Sequence, residues 1–396
     1  MSVLLNSEEA VNKQASAVQP RRMVAAMPEY HPPLAGRNAL RLDFNENTFA
    51  ASPKVIARLR ETTAEDLTKY PERQGVEAVA AAHFGLDADQ VLLTNGVDEA
   101  IHIVCAALLE EEDEAILCTP TFFMYEVSAR MMTPHLIRVQ ADASLAFPYE
   151  RFVAAITPLT KLVVICSPNN PTGAVVSREQ ILAICAQAPH AAVLVDEAYY
   201  HFNCNDGHFH GGTVLDDVKR VPNLLVARTF SKAYGMASLR IGMLAGSALL
   251  MRCMRKVSSP YNVNGVALDC LPVALADEAY IGWYAAQVRS GLARTMEKLR
   301  ELNVDFFPSH ANFVLMKIGP KHAELVKAMR ARGVLLRDRS SDPGCDGYVR
   351  ITIGIEAHVT RGLQALGESL AEIGWKPEQA RTHAAQSANE DQREWE

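Results

Sequence analysis

From about residue 75 onward, short apolar runs alternate with longer stretches whose apolar positions recur at helical spacing. The runs Val91–Thr94, Ala115–Cys118, Leu136–Val139, Leu162–Cys166, Ala192–Val195, Leu224–Ala227 and Ile241–Ala245 have the length and branching of strands. After the first of them, Val97, Ile101, Val104, Cys105 and Leu108 fall at offsets 0, 4, 7, 8 and 11, one face of a helix. Gly75–Phe84 is an alanine-rich helix, and Ser177 with Gln180 forms a capping box for another. Strands without polar alternation, separated by helices, predict an α/β protein. Its large domain holds a mostly parallel seven-stranded sheet covered by helices. In such a sheet ligands bind beyond the carboxyl ends of the strands.

The flanking pattern differs. Met27–Pro33 is proline-rich and expected to be extended. Leu40–Asn47 reads as a short strand running into a polar turn, and Lys54–Glu61 as a helix. Beyond Pro260 come a long helix, Asp277–Leu302, strands at Phe313–Met316 and Tyr348–Ile353, and a helix Glu324–Arg332 stopped by Gly333. This α+β character predicts a second, smaller domain. The expected division is an N-terminal arm (1–21), a smaller domain from 22–67 and 277–376, a large domain (68–276) and a polar tail (377–396).

A chain of 396 residues exceeds what one core usually serves, which agrees with two domains. The net charge of −7, without a block of Lys or Arg, argues against nucleic acid or a membrane surface as partner. No apolar run reaches membrane-spanning length, and Met1–Pro20 lacks the apolar core of a signal peptide, so a cytoplasmic location is expected. Eight cysteines without a CxxC motif fit the same compartment. His201, Cys204, His208 and His210 have no zinc-like spacing; the stretch reads as a polar loop, and no metal is expected.

Chemistry concentrates where the apolar runs end. Lys232 lies in a small polar segment with Ser231 and Arg240, between the runs Leu224–Ala227 and Ile241–Ala245. It is either a loop lysine or an amine with a task. Asp196 follows a buried strand, where a carboxylate needs a partner; a helix cap or an ion pair would also account for it. The segment Ser167–Gly173 has the composition of a turn. The helix opening at Gly96, Val97 and Asp98 offers free backbone N–H groups, suited to a phosphate.

Taken together, CSPNNPTG at 166–173, VDEAY at 195–199 and SKAYGMASLRIG at 231–242 resemble, in order and spacing, the motifs of the fold-type I aminotransferases that use pyridoxal 5′-phosphate. The resemblance spans about Leu40 to Leu366. It implies that Lys232 bonds to the cofactor aldehyde and, once freed, carries a proton between the substrate α-carbon and the cofactor. Asp196 would face the ring nitrogen, Tyr199 and Asn170 the ring 3′-oxygen, and Phe122 the ring face, where relatives often carry Tyr or Trp. Gly96, Val97, Asp98, Ser231 and Arg240 would hold the phosphate, with Tyr70 reaching it from a neighbouring subunit. That implies a homodimer with shared active sites.

A narrower likeness, to the histidinol-phosphate aminotransferases, rests on Leu42–Asn47, Ser309–Phe313, Gly333–Asp338 and Val349–Gly354. It implies that Arg350 binds the α-carboxylate of glutamate and Arg337 its side-chain carboxylate or the substrate phosphate, with Tyr30 and Asn45 nearby. Small-molecule amino donors and keto acceptors are the expected partners. An aromatic or broad-specificity aminotransferase, or a threonine-phosphate decarboxylase-like enzyme, is the alternative. Thr48 departs from the proline common after the NEN triplet, and Tyr200–Thr213 is long and histidine-rich for a link.

Overall fold

Side-chain alternation along each strand decides which face of the sheet a residue serves. In Thr160–Cys166, Val163 and Ile165 enter one apolar cluster while Leu162, Val164 and Cys166 enter a second. Val193, Val195, Leu224 and Val226 join the first; Ala192, Leu194, Leu225 and Ala227 join the second. Both faces are therefore dry, which is why these strands carry no polar alternation. The computed structural model describes residues 19–27, 29, 36, 38–203 and 212–378. Tyr30, the prolines of the 27–33 stretch, Cys204, His208, His210, most of the N-terminal arm and the tail from 379 lie outside the described residues.

The main sheet contains β1 (Val91–Thr94), β2 (Glu114–Thr119), β3 (His135–Gln140), β4 (Thr160–Cys166), β5 (Ala192–Asp196), β6 (Leu224–Thr229) and β7 (Gly242–Gly246), in the order β1-β7-β6-β5-β4-β2-β3. Strand β7 runs antiparallel to both neighbours, and the remaining pairings are parallel. Its reversal has a local cause. The link from Thr229 to Gly242 contains only a 3₁₀ turn, Ala237–Leu239, and no helix to make a parallel crossover. The chain turns back instead, leaving Ser231, Lys232 and Arg240 at the edge where β4 and β5 end. Register fixes that edge: Cys166 pairs with Asp196, Asp196 with Ala227, and Gly242 with both Thr229 and Thr94.

A second sheet, β8 (Asp305–Phe306), β9 (Phe313–Lys317), β10 (Arg337–Asp338) and β11 (Tyr348–Thr352), is antiparallel throughout in the order β10-β11-β9-β8. Phe313, Val314, Met316, Val349 and Ile351 join the same apolar cluster as Val163 and Val193. The short strand expected to run into a polar turn over 40–47 is Leu40–Arg41, paired in parallel with Val334–Leu335. In the turn that follows, Asn45 has a left-handed φ of 55°, a region asparagine tolerates better than most residues. The expected helices at 54–61, 75–84 and 277–302 are Pro53–Arg60, Gln74–His83 and Glu278–Glu301, and the capping box of Ser177 with Gln180 forms. Helices at Met124–Arg130, Ala248–Val257, Gly265–Leu275 and Glu356–Glu372 were not anticipated. Residues 34–396 make one contact unit; the separate 1–33 unit includes a short helix, Arg22–Ala25.

Beside the end of β5, Glu197 and Arg228 form a buried pair, 2% and 4% exposed. Arg228 donates to Glu197 Oε2 through Nε (3.0 Å) and Nη2 (2.8 Å), and stacks on Tyr200 with 3.6 Å from guanidinium carbon to ring centre. Thr213 Oγ1 and the Val214 amide donate to the same carboxylate. Every oxygen lone pair thus has a donor, the condition under which a buried ion pair is tolerated. Glu197→Ala leaves the guanidinium buried without a counter-charge and is expected to destabilise the protein by about 3–5 kcal/mol. Urea unfolding of the variant checks this; a loss under about 1 kcal/mol would show the pair to be dispensable.

Candidate functional site

Lys232 projects from the reversal between β6 and β7. Its Nζ donates to the carbonyl oxygen of Phe44 at 3.0 Å, across 188 residues of chain. Burial lowers its pKa from the ordinary 10.5 to about 8, and the positive charge of Arg350 adds to the effect. An amine so placed is neutral for a sizeable fraction of the time near neutral pH, the state in which it can act as nucleophile or base.

The two adjacent carboxylates after β5 have opposite environments. Glu197 has Arg228. Asp196, 3% exposed, has no cation in ion-pair range among the described residues; it accepts from Tyr125 Oη at 2.6 Å and from the Ala198 amide at 2.9 Å. Burial raises its pKa to about 6, with the two hydrogen bonds opposing that shift. It is neither a helix cap nor half of an ion pair. A buried carboxylate in this state is suited to a cation brought in from outside.

Arg350 is the counterpart of opposite sign. It is 4% exposed, in the middle of β11, and donates to neutral acceptors: Asn170 Oδ1 and the carbonyl oxygen of Asp43, the latter at 2.7 Å. Its Nε has no partner among the described residues. Burial, then the nearby Arg339, depress its pKa to about 9. Arg337 stands directly opposite in β10, with its guanidinium 5.6 Å from the Phe44 ring. Two arginines in cross-strand register repel each other; Asp342 acts on both with the opposite sign, and a further anion beside them would offset the rest.

Asn45 ties these parts together. Its side-chain amide donates to Tyr199 Oη at 3.1 Å; its backbone N–H donates to Thr352 Oγ1 at 3.0 Å, and Asn312 donates to its carbonyl. Tyr199 also meets Phe313 edge-on, 5.2 Å between ring centres, and burial raises its pKa to about 12. Thr48, the departure from the family pattern, has a structural role. Its amide donates to Tyr284 Oη, and its Oγ1 accepts from the Ile355 amide ahead of the helix Glu356–Glu372. Proline there, with neither an amide N–H nor a hydroxyl, would remove both bonds.

At the other end of the site, the helix α1 (Gly96–Leu108) points its first turn at β7. Gly242 permits the approach: a Cβ there would lie 2.9 Å from Gly96 C and 3.0 Å from Val97 N. Gly96 has φ +77°, and a Cβ on it would lie 2.7 Å from Arg240 Nη2. The N-cap, Asn95, makes no side-chain cap, so the first N–H groups keep their capacity to bind an anion. Arg240 holds a left-handed φ of 53°, costly for a side chain of its size, and donates to Asp98 Oδ2 at 3.1 Å. Ser231 is buried beside them.

The fold therefore assembles Lys232, Asp196, Tyr199, Asn170, Asn45, Arg350 and Arg337 with Gly96, Val97, Asp98, Ser231 and Arg240 along one sheet edge. Phe122 joins through Tyr125, whose ring it meets edge-on at 5.6 Å. Tyr70 does not enter: it is 80% exposed and stacked on Tyr261. Tyr30 lies outside the described residues. Sequence reasoning passed over Tyr125 and the Glu197–Arg228 pair. Tyr125 stands three residues after Phe122, the spacing of neighbours on one helix face, and that was its available signal.

Pyridoxal 5′-phosphate has four features to satisfy: an aldehyde, a basic ring nitrogen, a phenolic oxygen and a phosphate. The amine of Lys232, the cation-free carboxylate of Asp196, the phenol of Tyr199 and the uncapped helix start with Arg240 form a donor set of matching chemistry. The family model for aminotransferase class I and II matches residues 37–366. A Pseudomonas aeruginosa protein named histidinol-phosphate aminotransferase 2 is 34% identical over 335 residues, 84% of this chain and 89% of the relative. An aromatic amino acid aminotransferase of Cutibacterium acnes is 31% identical over 354 residues, 88% and 98% of the two chains. The crystal structure of histidinol-phosphate aminotransferase from Sinorhizobium meliloti in complex with pyridoxal-5′-phosphate superposes with a TM-score of 0.79 over 91% of this chain and all of that one; at 22% identity this speaks for the fold. With the family model covering most of the chain and relatives above 30% identity along nearly their full length, this protein belongs to the class I and II aminotransferases, enzymes that work with pyridoxal 5′-phosphate.

Proposed function

We propose that the protein is a histidinol-phosphate aminotransferase, converting imidazole acetol phosphate and L-glutamate to L-histidinol phosphate and 2-oxoglutarate in histidine biosynthesis. The observation that carries the substrate assignment is the buried Arg350 with neutral partners and Arg337 opposite it. Such a pair suits substrates with two anionic groups, since a guanidinium fork accepts carboxylate and phosphate alike. The printed names of the relatives support the same reading.

When bound, pyridoxal 5′-phosphate supplies the aldehyde that takes up an amino group and a ring that withdraws electrons as the α-proton leaves. Lys232 holds and moves that proton at Nζ, its pKa lowered to about 8 by burial and by Arg350 so that the neutral amine is accessible. Asp196 would face the ring nitrogen and keep it protonated. Tyr199 and Asn170 would orient the ring oxygen, Phe122 would cover the ring face, and the start of α1 with Ser231 and Arg240 would hold the phosphate. Arg350 takes the α-carboxylate, and Arg337 the distal anion. Tyr70, exposed within its own chain, serves the site of a second copy in a homodimer. The β8–β11 sheet with its helices acts as the smaller domain, and the cytoplasm is the site of action.

Three outcomes test this. Lys232→Ala should yield a protein to which borohydride no longer fixes the cofactor covalently and which has no measurable transamination; full turnover would overturn the lysine's role. Mixing the yellow enzyme separately with histidinol phosphate, phenylalanine and threonine phosphate should give the fastest loss of cofactor absorbance with histidinol phosphate. Phenylalanine faster by orders of magnitude would favour the aromatic reading, and released carbon dioxide a decarboxylase. In cofactor-free protein, competitive acylation of Lys232 should be half-maximal near pH 8, with exposed lysines rising well beyond it. The sign follows from burial. Between about pH 8 and the ordinary 10.5 the unfolded chain binds the extra proton, so this group's contribution to stability rises with pH across that window. Arg350→Met removes a like charge and should move the midpoint upward.

A further inference from the structure

We propose that Tyr125 is a positioning residue whose hydroxyl holds Asp196 in the orientation and ionised form that pairs with a cationic ring nitrogen. The inference rests on the reading of Asp196 as the partner of that nitrogen. Both side chains are buried, 1% and 3% exposed, and Tyr125 Oη lies 2.6 Å from Asp196 Oδ2. The Ala198 amide occupies Oδ1 at 2.9 Å, so each carboxylate oxygen has one donor and one is a side chain. Charge-assisted hydrogen bonds of this kind favour the carboxylate over the acid.

The surroundings make Tyr125 a donor and nothing else. Burial first, then the Asp196 charge, push its own pKa well above the ordinary value, so it keeps its proton. The nearby Cys166, whose Sγ donates to the Pro168 carbonyl oxygen, has its thiol pKa raised by burial and then by Asp196, and stays protonated. The other charged groups acting on Asp196 are Asp98 and Glu197, and both disfavour its ionisation. Glu197 is committed to Arg228. Tyr125 is thus the side chain that opposes two like charges and the cost of burial. Its place is held by the helix Met124–Arg130 and the edge-on contact with Phe122, 5.6 Å between centres at 85°. The ring proposed to cover the cofactor and the hydroxyl proposed to hold its counter-ion are therefore joined by one turn at the start of that helix, in which the Tyr125 amide donates to the Phe122 carbonyl oxygen.

The test compares wild type, Tyr125→Phe and Asp196→Asn, each with and without pyridoxal 5′-phosphate. The carboxyl ¹³C resonance of Asp196, assigned by its loss in Asp196→Asn, is titrated in cofactor-free protein, and the cofactor dissociation constant is measured at pH 7 and pH 9. Tyr125→Phe should raise the Asp196 midpoint from about 6 by about one unit or more, the shift expected for losing a charge-assisted hydrogen bond. It should weaken cofactor binding about twofold at pH 7 for a shift of one unit and about tenfold for two, and hardly at all at pH 9, where the carboxyl is ionised again. A midpoint that does not move, or a loss of affinity equal at both pH values, would reduce Tyr125 to a space-filling role and overturn the inference. If Asp196→Asn binds the cofactor as tightly as wild type, the reading of Asp196 itself fails, and this inference with it. If Asp196→Asn loses the cofactor while Tyr125→Phe titrates and binds as wild type, the reading of Asp196 stands and only this inference is overturned.

Discussion

Charge buried without a hydrogen-bonded partner of opposite sign, among the described residues, is the constraint around which this site is built. Asp196 and Arg350 are each sealed among neutral hydrogen-bond partners, a state that costs several kcal/mol per group unless a counter-charge arrives. One residue beyond Asp196, Glu197 resolves the same problem with Arg228 and contributes to the fold. The contrast separates structural from functional charge within a single dipeptide. The cost at Asp196 and Arg350 is tolerated because the surrounding sheet edges cannot rearrange. Strand register fixes Asp196 against Ala227 and Cys166, and Arg350 against Leu315 and Arg337.

The reversal of β7 does comparable work through backbone geometry. A helical crossover after β6 would have carried the chain to the opposite edge before the next strand began. The short link instead keeps Lys232 and Arg240 at the edge reached by β5. Gly242 then lets the start of α1 close on β7, and Gly96 leaves room for the Arg240 guanidinium. The left-handed backbone at Arg240 is strain held at a proposed binding residue, a common association in enzymes. Asn45, left-handed as well, uses its conformation to serve Tyr199 with its side chain and Thr352 with its amide.

Much of the sheet was legible because burial on both faces leaves a local trace: continuous Val, Ile and Leu runs at strand length. Leu162–Cys166 and Ala192–Val195 fall within one residue or two of β4 and β5. Of the helices that escaped notice, Met124–Arg130 is short and Gly265–Leu275 carries a proline, Pro272, so their periodicity is faint; Ala248–Val257 and Glu356–Glu372 have neither feature. Tyr70 was named through the resemblance alone, and in this chain it packs on Tyr261. Tyr125 was missed because a tyrosine in an apolar stretch reads as core until its hydroxyl is seen against a carboxylate.

The sequence by itself determined the strands, the helix beginning at Gly96 and the candidacy of Lys232, Asp196 and Arg240. These follow from local periodicity and from motifs within a few residues of one another. Tertiary structure decided what each charged group faces. Whether Asp196 is an ion pair, a cap or a cation-free carboxylate depends on Tyr125, 71 residues away, and the state of Lys232 depends on Phe44 and Arg350. Desolvation and pairing are properties of the whole packed chain, and no window along the sequence contains them.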